Sequence, residues 1–330
     1  MITIGSAKID TNIFLAPLSG CSDLAFRLIA RKHGAKFCFF EMVDANALTR
    51  NHKHTIGGIL KTTKKDSPIA GQLLGADPAL MLDAAQKFVA TADISFLDIN
   101  SACPVKKVVK KGAGAYLLET PAVLYKIVKK LSSSLNIPVT VKMRVGYHKR
   151  YLEDIVDIAR KCEENGARAV FVHGRTQAQG YEGPVDYESI RSIKQSLNVP
   201  VFGSGNIFTP ELAKKMLDET GCDGILIARG AFGKPWIFTD TENYLKNGKL
   251  SPEPGLPDKK KILKKHLSYI DKYRDSKTAS QVGFMRKIAI WYLKGFPHAA
   301  KTRDQISRVQ SYNDLLELID SLLEYESRLG

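Results

Sequence analysis

From residue 14 to about 240 the chain alternates two patterns. Short apolar runs recur at FLAPL (14–18), FCFFEMV (37–43), IAGQLL (69–74), ISFLDIN (94–100), VTVKMRV (139–145), AVFVHGR (169–175), VFGSGN (201–206) and GILIARG (224–230). A strand with one wet face would alternate apolar and polar residues. These runs are continuous, which predicts parallel strands covered on both faces. Amphipathic stretches separate most of them. LAFRLIARKHG ends at Gly34, a fitting C-cap; DPALMLDAAQKFVATA opens with Asp77 as N-cap and Pro78 at the first helical position; YLEDIVDIARKCEENG and TPELAKKMLDETG have the same start signal, 3.6-residue period and closing glycine. NALTRNHKHTIGGILKTTKKDSP, between the second and third runs, is less regular and has room for a small strand or helix.

Eight strands interleaved with helices over about 230 residues predict a (β/α)8 barrel. The alternative, a doubly wound open sheet, is disfavoured because no G-x-G-x-x-G follows the first strand. Residues 247–257, NGKLSPEPGLP, read as a linker. Beyond them the pattern is helical only: DKKKILKKHLSYIDKYRD, SQVGFMRKIAIWYLKGF and TRDQISRVQSYNDLLELIDSLLEYESRL predict a bundle of three or four helices. The expected organisation is a catalytic barrel over 1–245 and an all-α domain over 246–330.

Charge narrows the partner. The 330 residues carry a formal net charge of +15, which favours an anionic partner, nucleic acid first. The five cysteines, Cys21, Cys38, Cys103, Cys162 and Cys222, are widely spaced with no C-x-x-C. That argues against a disulfide framework or a metal site and for a reducing cytoplasm. No signal peptide or bilayer-spanning apolar stretch is visible, so no membrane partner is expected.

In a barrel of this kind the active site lies at the C-terminal strand ends. The polar residues there are Gln72, Asn100 with Cys103, Lys142 with Arg144, His173 with Arg175, Ser204 with Asn206, and Arg229. The last two strands end in GSGN (203–206) and ARGAFG (228–233), whose small residues let backbone N–H groups approach a phosphate. Lys142 sits inside an apolar run and must meet an anion or polar ligand, or an ion-pair partner across the barrel. In DINSACPVKKVVKKGAGA (98–115) a lone thiol closes a strand and a lysine-rich, glycine-containing loop follows. A free thiol is mostly protonated at neutral pH. Cys103 can therefore donate a proton, or act as a nucleophile if Lys106, Lys107, Lys110 and Lys111 point inward; pointing outward, they would meet a polyanion. Cys38, Cys162 and Cys222 read as buried structural thiols.

FLAPLSGCSDLAFR, DINSACPVKKVVKKGAGAYLL, VKMRVGY, VHGRTQAQGYEGPVDYESI and IARGAFGKPWIF resemble the tRNA-dihydrouridine synthase family. The resemblance covers about residues 12–240, and the helical segment fits the family's RNA-binding domain. It implies an FMN-binding barrel that reduces uridines in the D-loop region of tRNA, with NADPH recharging the flavin. Carried over by motif, Pro17, Leu18 and Ser19 would line the flavin and Gln72 would bond its ring. Lys142 and His173 would contact its polar edge, and Ser204, Gly205, Asn206, Ala228 and Arg229 would hold its phosphate. Cys103 would be the general acid that protonates uracil C5 while hydride enters at C6. The chain has Leu18 where the family usually has Met, Ser101-Ala102 where Met-Gly is common, and Ala228 where Gly is frequent. RNA contacts are expected from Lys106, Lys107, Lys110, Lys111, Arg175, Arg286 and Lys287, with Trp291 and Tyr292 either stacking on bases or filling the bundle core. The expected protein is a cytoplasmic monomer. The rival readings are an FMN barrel acting on a free small pyrimidine or enone, and a non-catalytic RNA-binding module.

Overall fold

A computed structural model describes residues 1–149, 151–274, 279–294 and 299–322. An antiparallel hairpin, β1 (Ile2–Ile4) and β2 (Ala7–Ile9), opens the chain. The barrel strands follow: β3 (Ile13–Leu15), β4 (Phe37–Phe39), a short β5 (Val43–Asp44), β6 (Ile69–Leu74), β7 (Leu97–Ser101), β8 (Val139–Arg144), β9 (Ala167–His173), β10 (Val201–Ser204) and β11 (Gly224–Ile227). All pairings among them are parallel, and β4 pairs with β6 to close the ring. The FCFFEMV run is thus one barrel strand in two pieces. Its lower part pairs Cys38 with Ile69 and its upper part pairs Val43 with Leu73. Around the barrel lie α1 (Leu24–Lys32), α2 (Ala45–Thr49), α3 (Pro78–Thr91), the short α4 (Lys106–Val109), α5 (Pro121–Ser134), α6 (Leu152–Glu164), α7 (Tyr187–Ser196), α8 (Pro210–Thr220) and α9 (Ile237–Asn247). The irregular segment before β6 holds α2, a π-type turn at His54–Ile59 and a 3₁₀ turn at Lys64–Asp66.

Period-two alternation explains both the barrel core and the site above it. On each strand one set of side chains packs outward against the helices, as Leu15, Cys38, Val170, Val172 and Ile225 do. The other set points into the barrel: Phe14, Phe37, Phe39, Phe96, Phe171 and Phe202 form an aromatic floor with Ile4 and Ile9 of the hairpin beneath it. The Phe37 and Phe96 rings stack 5.4 Å apart, and Phe96 and Phe171 stack 5.9 Å apart. Two residues further along each strand, the same inward face carries Ala16, Gln72, Asp98, His173 and Ser204. The floor is apolar and the layer above it is polar.

Helix α9 runs through residue 245 and stops at Asn247, where Gly248 takes the left-handed conformation (φ 70°) that ends a helix without a Cβ penalty. Residues 248–255 carry no helix or strand. Four helices follow: α10 (Leu256–Tyr273), α11 (Ala279–Tyr292), α12 (Ala299–Arg308) and α13 (Tyr312–Ser321). Their apolar faces share a core of Leu263, Leu267, Ile270, Ile288, Ile306 and Leu315, which Ala25 and Trp236 of the barrel join. Among the described residues no helix is long and apolar enough to cross a membrane.

Candidate active site

The C-terminal mouth of the barrel opens into a cavity of about 540 Å³. It is lined by Pro17, Leu18, Ser19, Gln72, Cys103, Lys142, His173, Ser204, Gly205, Asn206, Ala228 and Arg229. The structure therefore brings together every residue assigned from sequence to the cofactor or to catalysis.

The charge inside is one-sided. Lys142 and Arg229 form no hydrogen bond or ion pair among the described residues. Arg229 lies between two rings, 4.5 Å from the Tyr181 centroid and 5.5 Å from that of Phe208. Burial, with Lys142, Arg144, Arg175 and Arg229 nearby, holds the His173 imidazole well below its ordinary pKa, so it is neutral. Lys142 is likewise pushed down, by burial first and then by Arg144. The acidic group beneath these cations is Asp98, whose carboxyl is raised chiefly by burial. Gly205 (φ 134°) and Asn206 (φ 52°) turn the loop after β10. That loop packs so closely on the next that a Cβ on Gly230 would lie 2.0 Å from the Ile207 carbonyl oxygen. Idle cations, two tight small-residue loops and apolar walls together fit a planar ligand that carries a phosphate.

A hydrogen-bond chain rises from the barrel interior to the thiol. Thr140 Oγ1 donates to Asp98 Oδ1 and Gln72 Nε2 donates to Asp98 Oδ2, both at 2.7 Å. Asn100 Nδ2 then donates to Gln72 Oε1 at 2.8 Å. Asn100 Oδ1 in turn accepts the backbone N–H groups of Ala102 (3.1 Å) and Cys103 (2.9 Å). Asp98, accepting at both oxygens, thereby orients the Gln72 amide, and through it the Asn100 amide. The loop beyond folds back at Gly114 (φ 63°), where a Cβ would sit 2.7 Å from the Cys103 carbonyl oxygen. Ala115 N–H donates to that oxygen at 3.0 Å. Arg144, 1% exposed, braces the loop by donating from Nε to the Ala102 carbonyl (2.7 Å) and from Nη1 to the Thr176 and Gly180 carbonyls.

The Cys103 thiol is raised above its ordinary value. Burial is the main cause, and it outweighs the lowering by the Val105 backbone and by Arg144, Lys142 and Lys107. It is a protonated thiol at neutral pH. Lys106, Lys107, Lys110 and Lys111 are exposed and do not convert it to thiolate; of the four, Lys107 lines the cavity.

Three expected RNA contacts have other partners. Arg175 is 1% exposed, with Nε and Nη2 donating to the Glu182 and Gly183 carbonyls, so it braces a loop. Arg286 donates to the Ser307 carbonyl. Lys287 donates to the Gly20 carbonyl at 2.9 Å and to Cys21 Sγ at 3.3 Å. Trp291, partly buried, stacks on Phe232 at 4.0 Å with the rings 1° from parallel, and Tyr292, 3% exposed, belongs to the bundle core. Sequence reasoning missed Asp98 and Tyr181. Asp98 carries the signal that exposed Lys142, a charge inside a buried strand. Tyr181 sits in a loop and carries none.

The solved structures that the fold resembles are other barrels. The old yellow enzyme from Trypanosoma cruzi superposes with a TM-score of 0.56 at 11% identity, over 82% of this chain and 97% of that one. The family model of dihydrouridine synthase (Dus) matches residues 14–326, and the chain belongs to that family of oxidoreductases. It is 36% identical over 323 residues to "Probable tRNA-dihydrouridine synthase 1" of Synechocystis sp., covering 98% of this chain and 89% of that protein. It is also 36% identical over 310 residues to tRNA-dihydrouridine synthase B of Pseudomonas aeruginosa, covering 94% and 92%.

Proposed function

We propose that this chain binds FMN at the barrel mouth and reduces the C5=C6 bond of uridines in the D-loop region of tRNA to 5,6-dihydrouridine, with NADPH as reductant. Ser204, Gly205, Asn206, Ala228 and Arg229 would hold the phosphate. Pro17, Leu18, Ser19, Gln72, Lys142 and His173 would hold the ring. When bound and reduced, FMN supplies the hydride that adds at C6. The chain's own contribution is the proton. Cys103 Sγ carries it at neutral pH and delivers it to C5, and Arg144, Lys142 and Lys107 offset the negative charge left on sulfur. The base must leave its stack to enter the cavity, as in other base chemistry.

The observation that carries this reading is the placement of the protonated Cys103 thiol, at the head of the lysine-rich loop, in the same cavity as the unpartnered cations; the second thiol of the cavity, Cys21, is already engaged by Lys287. Four exposed lysines beside the thiol favour a polymeric anion over a free pyrimidine. We assign residues 1–245 to catalysis and 246–330 to tRNA binding, in a cytoplasmic monomer whose five cysteines are all unpaired. The test has two parts. Purified protein should show flavin absorption and release FMN on denaturation, and tRNA from cells lacking the protein should lose dihydrouridine at defined positions. Release of no flavin, or an unchanged dihydrouridine map, would overturn the assignment.

A further inference from the structure

Eight large apolar side chains are exposed among the described residues, and five of them, Val105, Tyr116, Tyr151, Tyr181 and Phe208, lie on loops at the mouth end of the barrel. Exposed aromatics concentrated at one end of a barrel need a reason, because single ones scatter over any surface. The densest group is on the loops after β7 and β8. Tyr116, 36% exposed, meets the half-buried Tyr147 edge-on at 5.7 Å, and Tyr147 meets the exposed His148 at 4.5 Å. The group is held in place, since Gln177 N–H donates to the Gly146 carbonyl and Ala178 N–H to the Tyr147 carbonyl, both at 3.0 Å. Beside it stand the lysines at 106, 107, 110 and 111, none engaged in a hydrogen bond or ion pair among the described residues. Glu119 is the acidic neighbour.

Position matters as much as composition. In the order of the ring, β7 and β8 are the fourth and fifth barrel strands. They stand across the mouth from β3, the first, whose following loop carries the Gly20 and Cys21 that Lys287 of α11 reaches. The helical segment and the aromatic group therefore form opposite walls of one opening.

We infer that Tyr116, Tyr147 and His148 form a stacking wall for unpaired nucleobases that flank the uridine entering the cavity, with the four lysines holding the adjoining phosphates. This rests on the proposed tRNA reading. Rings take bases of any identity because every base has a π-face, and lysines beside them fit the sugar–phosphate backbone.

The test uses the full flavin-loaded chain and unmodified tRNA, with affinity measured across a salt series. Tyr116→Ala/Tyr147→Ala should weaken binding about 5- to 150-fold, with the slope of log affinity against log salt unchanged, because stacking releases no counterions. Tyr116→Phe/Tyr147→Phe should bind as wild type does. Lys107→Ala/Lys110→Ala should flatten the slope. Equal tRNA affinity in the alanine pair, with flavin content and thermal stability retained, would overturn the stacking wall. So would a change confined to self-association, which would make the group a protein contact. A wild-type chain that holds flavin but binds no tRNA would overturn the functional reading and this inference together.

Discussion

The barrel mouth and the helical segment are both rich in cations, and the fold uses them in opposite ways. In the helical segment most of the cations have partners. Arg274 pairs with Asp23 at 3.3 Å, Arg308 with Asp304 at 2.9 Å and Lys264 with Asp320; Lys260 donates to the Asp320 carbonyl at 2.7 Å, Arg286 to Ser307 and Lys287 to Gly20. At the mouth, Lys142, Arg229 and the four loop lysines have none among the described residues. Charge alone does not mark a ligand site. A cation held inside a cavity without a hydrogen-bond or ion-pair partner, as Lys142 and Arg229 are, does, because the cost of desolvating it must be recovered by something that binds, whereas an exposed lysine is solvated and marks a site only by where it stands.

The largest effect should come from the mouth. Cys103→Ala should lower turnover by about 10²–10⁴-fold while flavin content and tRNA affinity hold, since only proton donation is lost. A pH profile sharpens this. The acid must be protonated, and burial raises its pKa above the ordinary thiol value of 9.0. The rate should therefore be flat through neutral pH; loss of the Lys142 ammonium, lowered by burial to about 8, gives a first alkaline limb, and the thiol gives a further one above 9.0 that Cys103→Ala removes. Wild-type turnover in the alanine variant, or an alkaline profile unchanged by it, would return Cys103 to a packing role.

The second effect tests the chain beneath the thiol. Asp98→Leu should cost about 1–3 kcal/mol of stability, because Gln72 and Thr140 lose their buried acceptor, and it should also lower turnover by freeing the Gln72 and Asn100 amides to turn. Asp98→Asn should retain most of both, since the Thr140 hydroxyl can rotate to accept from the new amide while the amide oxygen still faces Gln72. Thermal unfolding and single-turnover rates would separate the two. Equal behaviour of the two variants would remove Asp98 from any positioning role.

How far the sequence reached differs between the two regions for the same physical reason. The barrel was legible because parallel strands buried on both faces leave continuous apolar runs, and a polar residue at the end of such a run has few places to go. Gln72, Cys103, Lys142, His173 and Ser204 all line the cavity for that reason. The helical elements were legible too, although the described part of TRDQISRVQSYNDLLELIDSLLEYESRL, residues 302–322, holds two helices, α12 and α13, with Ser311 capping the second by accepting from Asp314 N–H; residues 323–329 lie outside the described residues. The jobs of individual side chains in that region were not legible. Whether Trp291 stacks on RNA or on Phe232, and whether Arg286 meets phosphate or a carbonyl, depends on how the helices dock, and helical periodicity does not encode that.

The third effect belongs to the helical core. His266 is fully buried, its Nδ1 is 3.1 Å from the Tyr292 hydroxyl, and burial pushes its pKa down from 6.5 to about 3. The unfolded chain takes up a proton below 6.5 and the folded chain does not. The neutral imidazole's contribution is therefore present above pH 6.5 and is lost as pH falls from there toward 3, by about 1.4 kcal/mol per pH unit. Thermal melts between pH 7 and 5 should show that loss, and His266→Gln should flatten it. An unchanged pH dependence in the variant would assign acid sensitivity to another group.

The smallest effect is the one that most directly tests the contrast between the regions. Lys287 is exposed and its charge looks available to RNA, yet its Nζ is taken up by Gly20 and Cys21, on the loop that carries Pro17, Leu18 and Ser19. Lys287→Met keeps an apolar side chain of similar reach and removes the ammonium, together with its contacts to the Trp291 and Phe284 rings. An exposed interaction of this kind contributes about 0–1 kcal/mol, so flavin affinity should fall by no more than about fivefold. The salt slope of tRNA binding should stay at the wild-type value. Lys107→Ala should do the reverse, leaving the flavin bound and reducing the slope by about 0.7–0.9, because one phosphate is no longer neutralised by the protein. If Lys287→Met flattens the slope as much as Lys107→Ala does, a partnered cation binds RNA as well as an idle one, and the distinction between the two regions fails.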